Sequence, residues 1–299
     1  MKNDTGKNPL RQALILLLVI MIPAAGFLGW HIGQGSAQQE PAAEHEETIQ
    51  DNGHGLFSWH DEVFDAEERE ILLQLMTEQG LTELYQDIPS SVPTASIKEL
   101  ADACEALGIR LYLLVGDAKW ALDKKASKLR AEIQRAALIG CSGIMVDIEP
   151  GSLDEWKNDR DSVMESMTQG FLQAKASAEK EGLEMIVCLS WYYDDYGYGS
   201  ELEQIVEDGC DTLAIMNYNR EDEVGQIETE AELCREYGKA LINIYELQEI
   251  GKYDLEEINT YREEGLSSLW QSWEELRSVY SEQDISAALH EYRALKAMN

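Results

Sequence analysis

Asp147 and Glu149 close the run Gly143-Ile144-Met145-Val146-Asp147-Ile148-Glu149-Pro150, an apolar segment ending in two carboxylates two positions apart. Side chains of a strand alternate between its faces, so the two acids share one side of a strand at its C-terminal end. That end is where α/β folds keep their chemistry. Two acids on one side can divide the labour of cleaving a glycosidic bond. Glu149, further out, is the expected proton donor, kept protonated by burial and by the charge of Asp147; Asp147, deeper, orients it or holds a substrate group. The reaction also needs a group across the anomeric carbon. That role falls to the substrate's own 2-acetamido oxygen, or to a carboxylate of another strand, with Glu246, Asp194 and Asp117 as candidates. An ordinary polar strand end is the bland alternative.

Such acids need a frame. Apolar, strand-like runs recur at 56–59, 81–85, 109–115, 143–146, 185–189, 212–216, 240–244 and 266–270. Between them lie helical periods at 66–79, 96–107 and 124–138, with further helices expected at 161–180, 200–208 and 226–237 and a closing amphipathic helix at 283–298. The runs stand too far apart for hairpins and suit strand–helix–strand crossovers. Eight of them predict a (β/α)8 TIM barrel. A doubly wound open sheet is disfavoured, because no glycine-rich turn follows the first strand.

The barrel hypothesis makes its strand ends readable as a substrate rim. The first offers Trp59 and Asp61, the second Tyr85 and the third Asp117. The fifth offers Trp191, Tyr192 and Asp194, the sixth Asn217 and Tyr218, the seventh Tyr245 and Glu246, and the eighth Trp270. Aromatic faces stack on the apolar face of a pyranose while carboxylates and amides take its hydroxyls. Tyr218 is expected to reach an acetamido group or the charge that develops in the reaction. No cofactor is implied: a phosphate-cradling glycine loop and a Ser-His-Asp arrangement are both lacking. Nor is a metal, since the five histidines (His31, His45, His54, His60 and His290) form no convergent set.

The segment from Gly143 to Glu149 resembles the strand-four signature of the family 18 glycoside hydrolases and their chitinase-like relatives, D-G-x-D-x-D-x-E. The resemblance implies that Glu149 is the general acid and that Asp147 assists the acetamido group, with Gly143 at the glycine's place. Met145 and Ser142 stand where the signature has its other two acids. Ala214-Ile215-Met216-Asn217-Tyr218-Asn219 is similar to the family's M-x-Y-[DN] segment, which places Tyr218 at the catalytic-site tyrosine. The family's strand-eight tryptophan corresponds to Trp270 or Trp273. The likeness rests on these short motifs and is compatible with the stretch 56–298.

The N-terminal residues read separately. Lys2, Lys7 and Arg11 precede a stretch without charge from 13 to 30, and neither Lys nor Arg occurs between Arg11 and Arg69. Residues 1–30 are therefore expected to be a signal-anchor that sends the rest of the chain outward, with a cleaved signal peptide as the alternative. Residues 31–54 are polar and small and read as a flexible tether. The barrel is expected over 55–299.

A formal charge of −33, from 57 acidic and 24 basic residues, excludes the clustered basic surface that nucleic acid requires. It would also repel an anionic polymer unless locally basic residues received it. The five cysteines show no metal-ligand spacing and are expected to be mostly free thiols, with one chance pair allowed by the compartment. The exposed helix faces are acidic and give no signature of an oligomer interface. The expected function is a glycoside hydrolase-like protein cleaving an extracellular or cell-envelope glycan. The alternatives are a barrel that binds carbohydrate without turnover and a structural barrel scaffold at the cell surface.

Overall fold

The computed structural model describes residues 53–299. The expected anchor and all but the last two residues of the expected tether lie outside them. Among the described residues no helix is long and apolar enough to cross a membrane.

Eight strands form a closed, all-parallel barrel: β1 (His54–Ser58), β2 (Leu81–Asp87), β3 (Arg110–Val115), β4 (Gly143–Asp147), β5 (Glu184–Ser190), β6 (Thr212–Met216), β7 (Ala240–Glu246) and β8 (Ile285–His290). Each strand pairs with its sequence neighbour, and β8 closes on β1 through Gly55 opposite Ala288 and Leu56 opposite Leu289. This is the (β/α)8 barrel that the spacing of apolar runs predicts. Helices α1 (Ala66–Glu78), α2 (Thr94–Ala106) and α3 (Ser127–Ile139) return the chain after the first three strands. A short α4 (Asp154–Asn158) precedes the long α5 (Arg160–Glu181); then come α6 (Gly199–Gln204), α7 (Glu223–Gln226), α8 (Glu228–Glu236), α9 (Leu266–Val279) and α10 (Tyr292–Met298).

The eighth strand is a correction. Residues 266–270, expected as a strand, begin α9, and the closing helix expected at 283–298 is instead β8 followed by the two-turn α10. In α9, Leu269, Trp273 and Leu276 recur at intervals of four and three and are buried together, a helical period that a five-residue window conceals. In β8, Ala287 and Ala288 carry a helical preference, yet both are fully buried, one on each face of the strand. Tertiary burial decides here over propensity.

Alternation along the strands separates two apolar clusters. Outward residues such as Leu56, Leu84, Leu113, Ile144, Val187 and Leu213 meet the helices. Inward residues including Phe57, Tyr112, Leu114, Met145, Ile186 and Ala288 fill the barrel. At its N-terminal end the filling turns polar. Glu83 accepts from the Tyr85 hydroxyl at 2.5 Å and pairs with Arg110, while Glu184 accepts from Tyr112 Oη at 2.6 Å, Arg110 Nη1 at 3.1 Å and Thr212 Oγ1 at 3.0 Å. Glycines make room for the aromatic layer: a Cβ on Gly55 would lie 2.3 Å from the Tyr85 ring, and one on Gly143 would lie 2.8 Å from Tyr112. The N-terminal end is thus plugged, and the barrel opens only where its strands end.

All five cysteines are buried free thiols.

Candidate functional site

On β4, Met145 belongs to the inward cluster and Ile144, Val146 and Ile148 to the outward one. Asp147 and Glu149 therefore project to the inside of the barrel at its C-terminal mouth, and both line a cavity of about 550 Å³. That volume lies within the range of small-molecule sites. Phe57, Cys188, Met216 and Ile244 line it among the inward apolar residues, while Trp59, Tyr218 and His290 supply its aromatic walls.

Asp147 is half-buried, and one of its oxygens, Oδ1, is buried without a hydrogen-bond partner. Burial, then the charge of Glu149, push its pKa up to about 7; His290 and a hydrogen bond from the Cys188 thiol pull the other way. Glu149 reaches solvent at the mouth, and its pKa too is raised, through loss of hydration among the surrounding protein atoms, against the pull of His290. The two acids titrate together, with Asp147 the harder to ionise because it lies deeper. Gly116 lets the loop after β3 reach this point, since a Cβ there would lie 1.9 Å from the Asp147 carbonyl oxygen.

Opposite β4 stands His290, the last residue of β8. Its Nδ1 is 2.8 Å from Glu246 Oε2 and its Nε2 accepts from Trp59 Nε1 at 3.1 Å. An indole N–H only donates, so Nε2 carries the lone pair and Nδ1 the hydrogen that Glu246 accepts. Burial disfavours the imidazolium, but Glu246 outweighs it, and Asp147 adds to the attraction, so the His290 pKa is raised. The Trp59 donor opposes protonation. The other Glu246 oxygen accepts from the backbone N–H groups of Leu247 and Gln248. Tyr218, two residues past Met216 in the loop after β6, faces His290 with ring centres 6.4 Å apart, and burial among carboxylates holds its phenol protonated. Its carbonyl accepts from Asn259 Nδ2 at 2.6 Å, which ties the loop after β6 to the one after β7.

Of the residues expected at the rim, Asp147, Glu149, Tyr218, Trp59 and Glu246 line this one cavity. The others are placed elsewhere. Tyr85 faces inward but lies wholly buried at the polar plug. Asn217 and Tyr245 follow or precede inward residues by one position, so alternation turns them outward: Asn217 donates to Asn243 Oδ1 and the Glu223 carbonyl, and Tyr245 packs on Tyr261. Asp117 caps a short 3-10 turn by accepting from Lys119 N, and Asp194 accepts from Thr229 Oγ1. Asp61, Trp191 and Tyr192 sit at strand ends without lining the cavity; Trp191 and Tyr192 pack edge-to-face on each other. Trp270, displaced with the misplaced strand, packs on His54 at the N-terminal end of β1, and so does Trp273. Neither indole is at the barrel mouth.

His290, Glu291, Gln248, Lys252 and Tyr253 line the cavity and escaped the sequence reading. The first two follow from the true position of β8; the last three lie on the loop after β7, where no periodicity signals them. Among the described residues no group of three or more His, Cys, Asp or Glu side chains is arranged to hold a metal ion.

No family model matches the chain. No curated protein matches it either. Solved structures match through the fold. A chitinase from Chromobacterium violaceum superposes with a TM-score of 0.54 at 13% identity, over 83% of this chain and 98% of that one. A family 18 chitinase from Pseudoalteromonas aurantia gives 0.51 at 11%, over 81% and 97%. A proposed alpha-L-fucosidase from Bacteroides thetaiotaomicron gives 0.54 at 11%, over 87% and 91%. Likeness at these identities is a likeness of fold alone. The chain is a (β/α)8 barrel of the architecture shared by TIM-barrel enzymes.

Proposed function

We propose that this protein is a glycoside hydrolase-like enzyme that cleaves an extracellular or cell-envelope glycan, with Glu149 as general acid and Asp147 and Tyr218 assisting. The observation that carries the reading is the position of Asp147, at the end of β4, and Glu149, two residues on: both line one open cavity, with raised pKa values. A carboxylic acid whose proton is held more tightly than usual by burial, within reach of a bound glycosidic oxygen, is what leaving-group protonation needs.

The group across the anomeric carbon is best supplied by the substrate. Glu246 is committed to two backbone N–H groups and to His290, and Glu291 accepts from the backbone N of Arg293 at the start of α10. Asp194 and Asp117 hold local structure and do not line the cavity. A 2-acetamido oxygen attacking its own anomeric carbon needs no further carboxylate. Asp147, which lines the cavity, would accept the acetamido N–H, and Tyr218 Oη would donate to the acetamido oxygen as charge builds. The likeness in fold to two chitinases agrees with this direction.

Binding without turnover is the second reading, and Met145 favours it. The side chain below Asp147 is apolar and fully buried, so it offers Asp147 no partner to trade a proton with. A screen of wild type and Glu149→Gln on diverse N-acetylated glycans decides between the two. Hydrolysis lost in the variant with binding retained supports the enzyme; binding to wild type without any hydrolysis supports the binder. The reading places the barrel outside the cytoplasm, held by the segment 1–30, on the charge pattern of Lys2, Lys7 and Arg11.

A further inference from the structure

We propose that the glycan is acidic, and that Lys252, beside the exposed ring of Tyr253, receives a carboxylate on a sugar next to the one held at Glu149. The inference rests on the glycan reading above and adds the substrate's charge class.

The cavity is strongly negative. Asp147, Glu149, Glu246 and Glu291 line it, in a chain of formal charge −33. A neutral sugar can enter such a site freely, whereas an anionic one needs a local cation. Lys252 is the only Lys or Arg among the residues that line the cavity. It stands in the loop after β7, three strands round the barrel from β4, which carries Asp147.

The ammonium is not consumed by the fold. It lies over the ring of Tyr253, 5.4 Å from Nζ to the ring centre, and no carboxylate lies within ion-pair distance of it among the described residues. Of its acidic loop neighbours, Glu249 pairs with Arg262 at 3.6 Å, and neither Glu249 nor Asp254 lines the cavity. Tyr253 is equally uncommitted. It is 80% exposed, a large aromatic side chain with no core to fill. Tyr253 and Asp254 both hold left-handed backbone, at φ 52° and 61°, a region that disfavours residues bearing a side chain. The fold spends that strain on lifting an aromatic ring beside a free ammonium at the edge of a sugar-sized cavity. A stacking surface with an adjacent cation recognises a pyranose that bears a carboxylate substituent.

The test uses one acidic, N-acetylated polysaccharide before and after its carboxylates are converted to amides, together with a neutral N-acetylated oligosaccharide. Wild type is expected to show a KM or Kd about three- to fivefold lower for the acidic form than for the amide at low salt, the size of a partly exposed ion pair. Lys252→Ala should erase the preference, Lys252→Glu invert it and Lys252→Arg keep it, with the preference shrinking as salt rises. Tyr253→Ala should weaken both forms alike. Equal handling of the acidic and amidated forms by wild type, or a preference that survives in Lys252→Ala, overturns the inference while leaving the glycan reading in place. Failure to bind any of the three overturns both.

Discussion

Trp59 Nε1 donates to His290 Nε2 across 3.1 Å, joining the end of the first strand to the end of the last at the mouth of the barrel. Glu246 holds the other ring nitrogen at 2.8 Å and is itself fixed by two backbone N–H groups. The imidazole is thereby locked in one tautomer and aimed at the cavity that holds the acid pair. Its charge state sets the field in which Asp147 and Glu149 titrate.

Trp59→Phe removes the N–H that opposes protonation of Nε2, so the His290 pKa should rise further above its ordinary value. Glu246→Gln removes the charge that raises it, so the pKa should fall. Titration of the imidazole carbon protons by NMR reads both. A group whose folded pKa is raised contributes stability that is complete below its unfolded value and lost as pH climbs through the folded one. The tryptophan variant should accordingly extend that contribution to higher pH. A His290 pKa unmoved in both variants would remove this hydrogen-bond chain from the account.

Under the proposed function, Asp147 is expected to set the alkaline limit of activity. Its pKa is pushed up to about 7 by burial and then by Glu149, so Asp147 gives up its proton as pH rises through neutrality. The alkaline limb of kcat should fall there. Asp147→Asn removes the acid that holds its proton to the higher pH, so Glu149 alone should then set the alkaline limb. The limb should then move to the acid side, with kcat reduced on the order of a hundredfold. An unshifted limb with unchanged kcat would show that the two acids do not act as a unit.

Glu230 offers a stability test away from the cavity. It lies on α8 wholly buried, and neither of its carboxylate oxygens has a hydrogen-bond partner. Burial raises its pKa to about 8, with Asp194 and Asp195 adding to the effect. The folded state therefore binds a proton that the unfolded chain releases near its ordinary pKa of 4.5, and stability should fall as pH rises from there to about 8. Glu230→Gln should flatten that slope and stabilise the protein at pH 9 by an amount on the order of a few kcal/mol. Urea unfolding at pH 5 and pH 9 measures it; equal slopes for wild type and variant would contradict the assignment.

Seven of the eight strands and the position of the acid pair were legible because a barrel repeats one signal. Each strand is an apolar run, and each run is followed by a helical period. The eighth strand failed because a buried run of small residues, Ser286-Ala287-Ala288, reads as helix, while Leu266-Ser267-Ser268-Leu269-Trp270 is too short to show its period. That single displacement hid His290 and Glu291 and placed Trp270 at the wrong end of the barrel. Tyr245 and Glu246 illustrate a second limit. Adjacent strand residues cannot both face the cavity, and only the register of the whole barrel tells which one does. Lys252 and Tyr253 carry no signal at all, since loop conformation depends on backbone geometry that composition does not encode.

Leaving-group dependence in Glu149→Gln tests the central claim most directly. A general acid matters in proportion to how badly the departing oxygen needs a proton. The account predicts that the variant loses on the order of a hundred- to ten-thousandfold in kcat/KM on a natural glycan. On an aryl glycoside of the same sugar with a strongly acidic phenol it should keep most of its bond-cleavage rate. Equal loss on both substrates, or none on either, would contradict Glu149 as the proton donor.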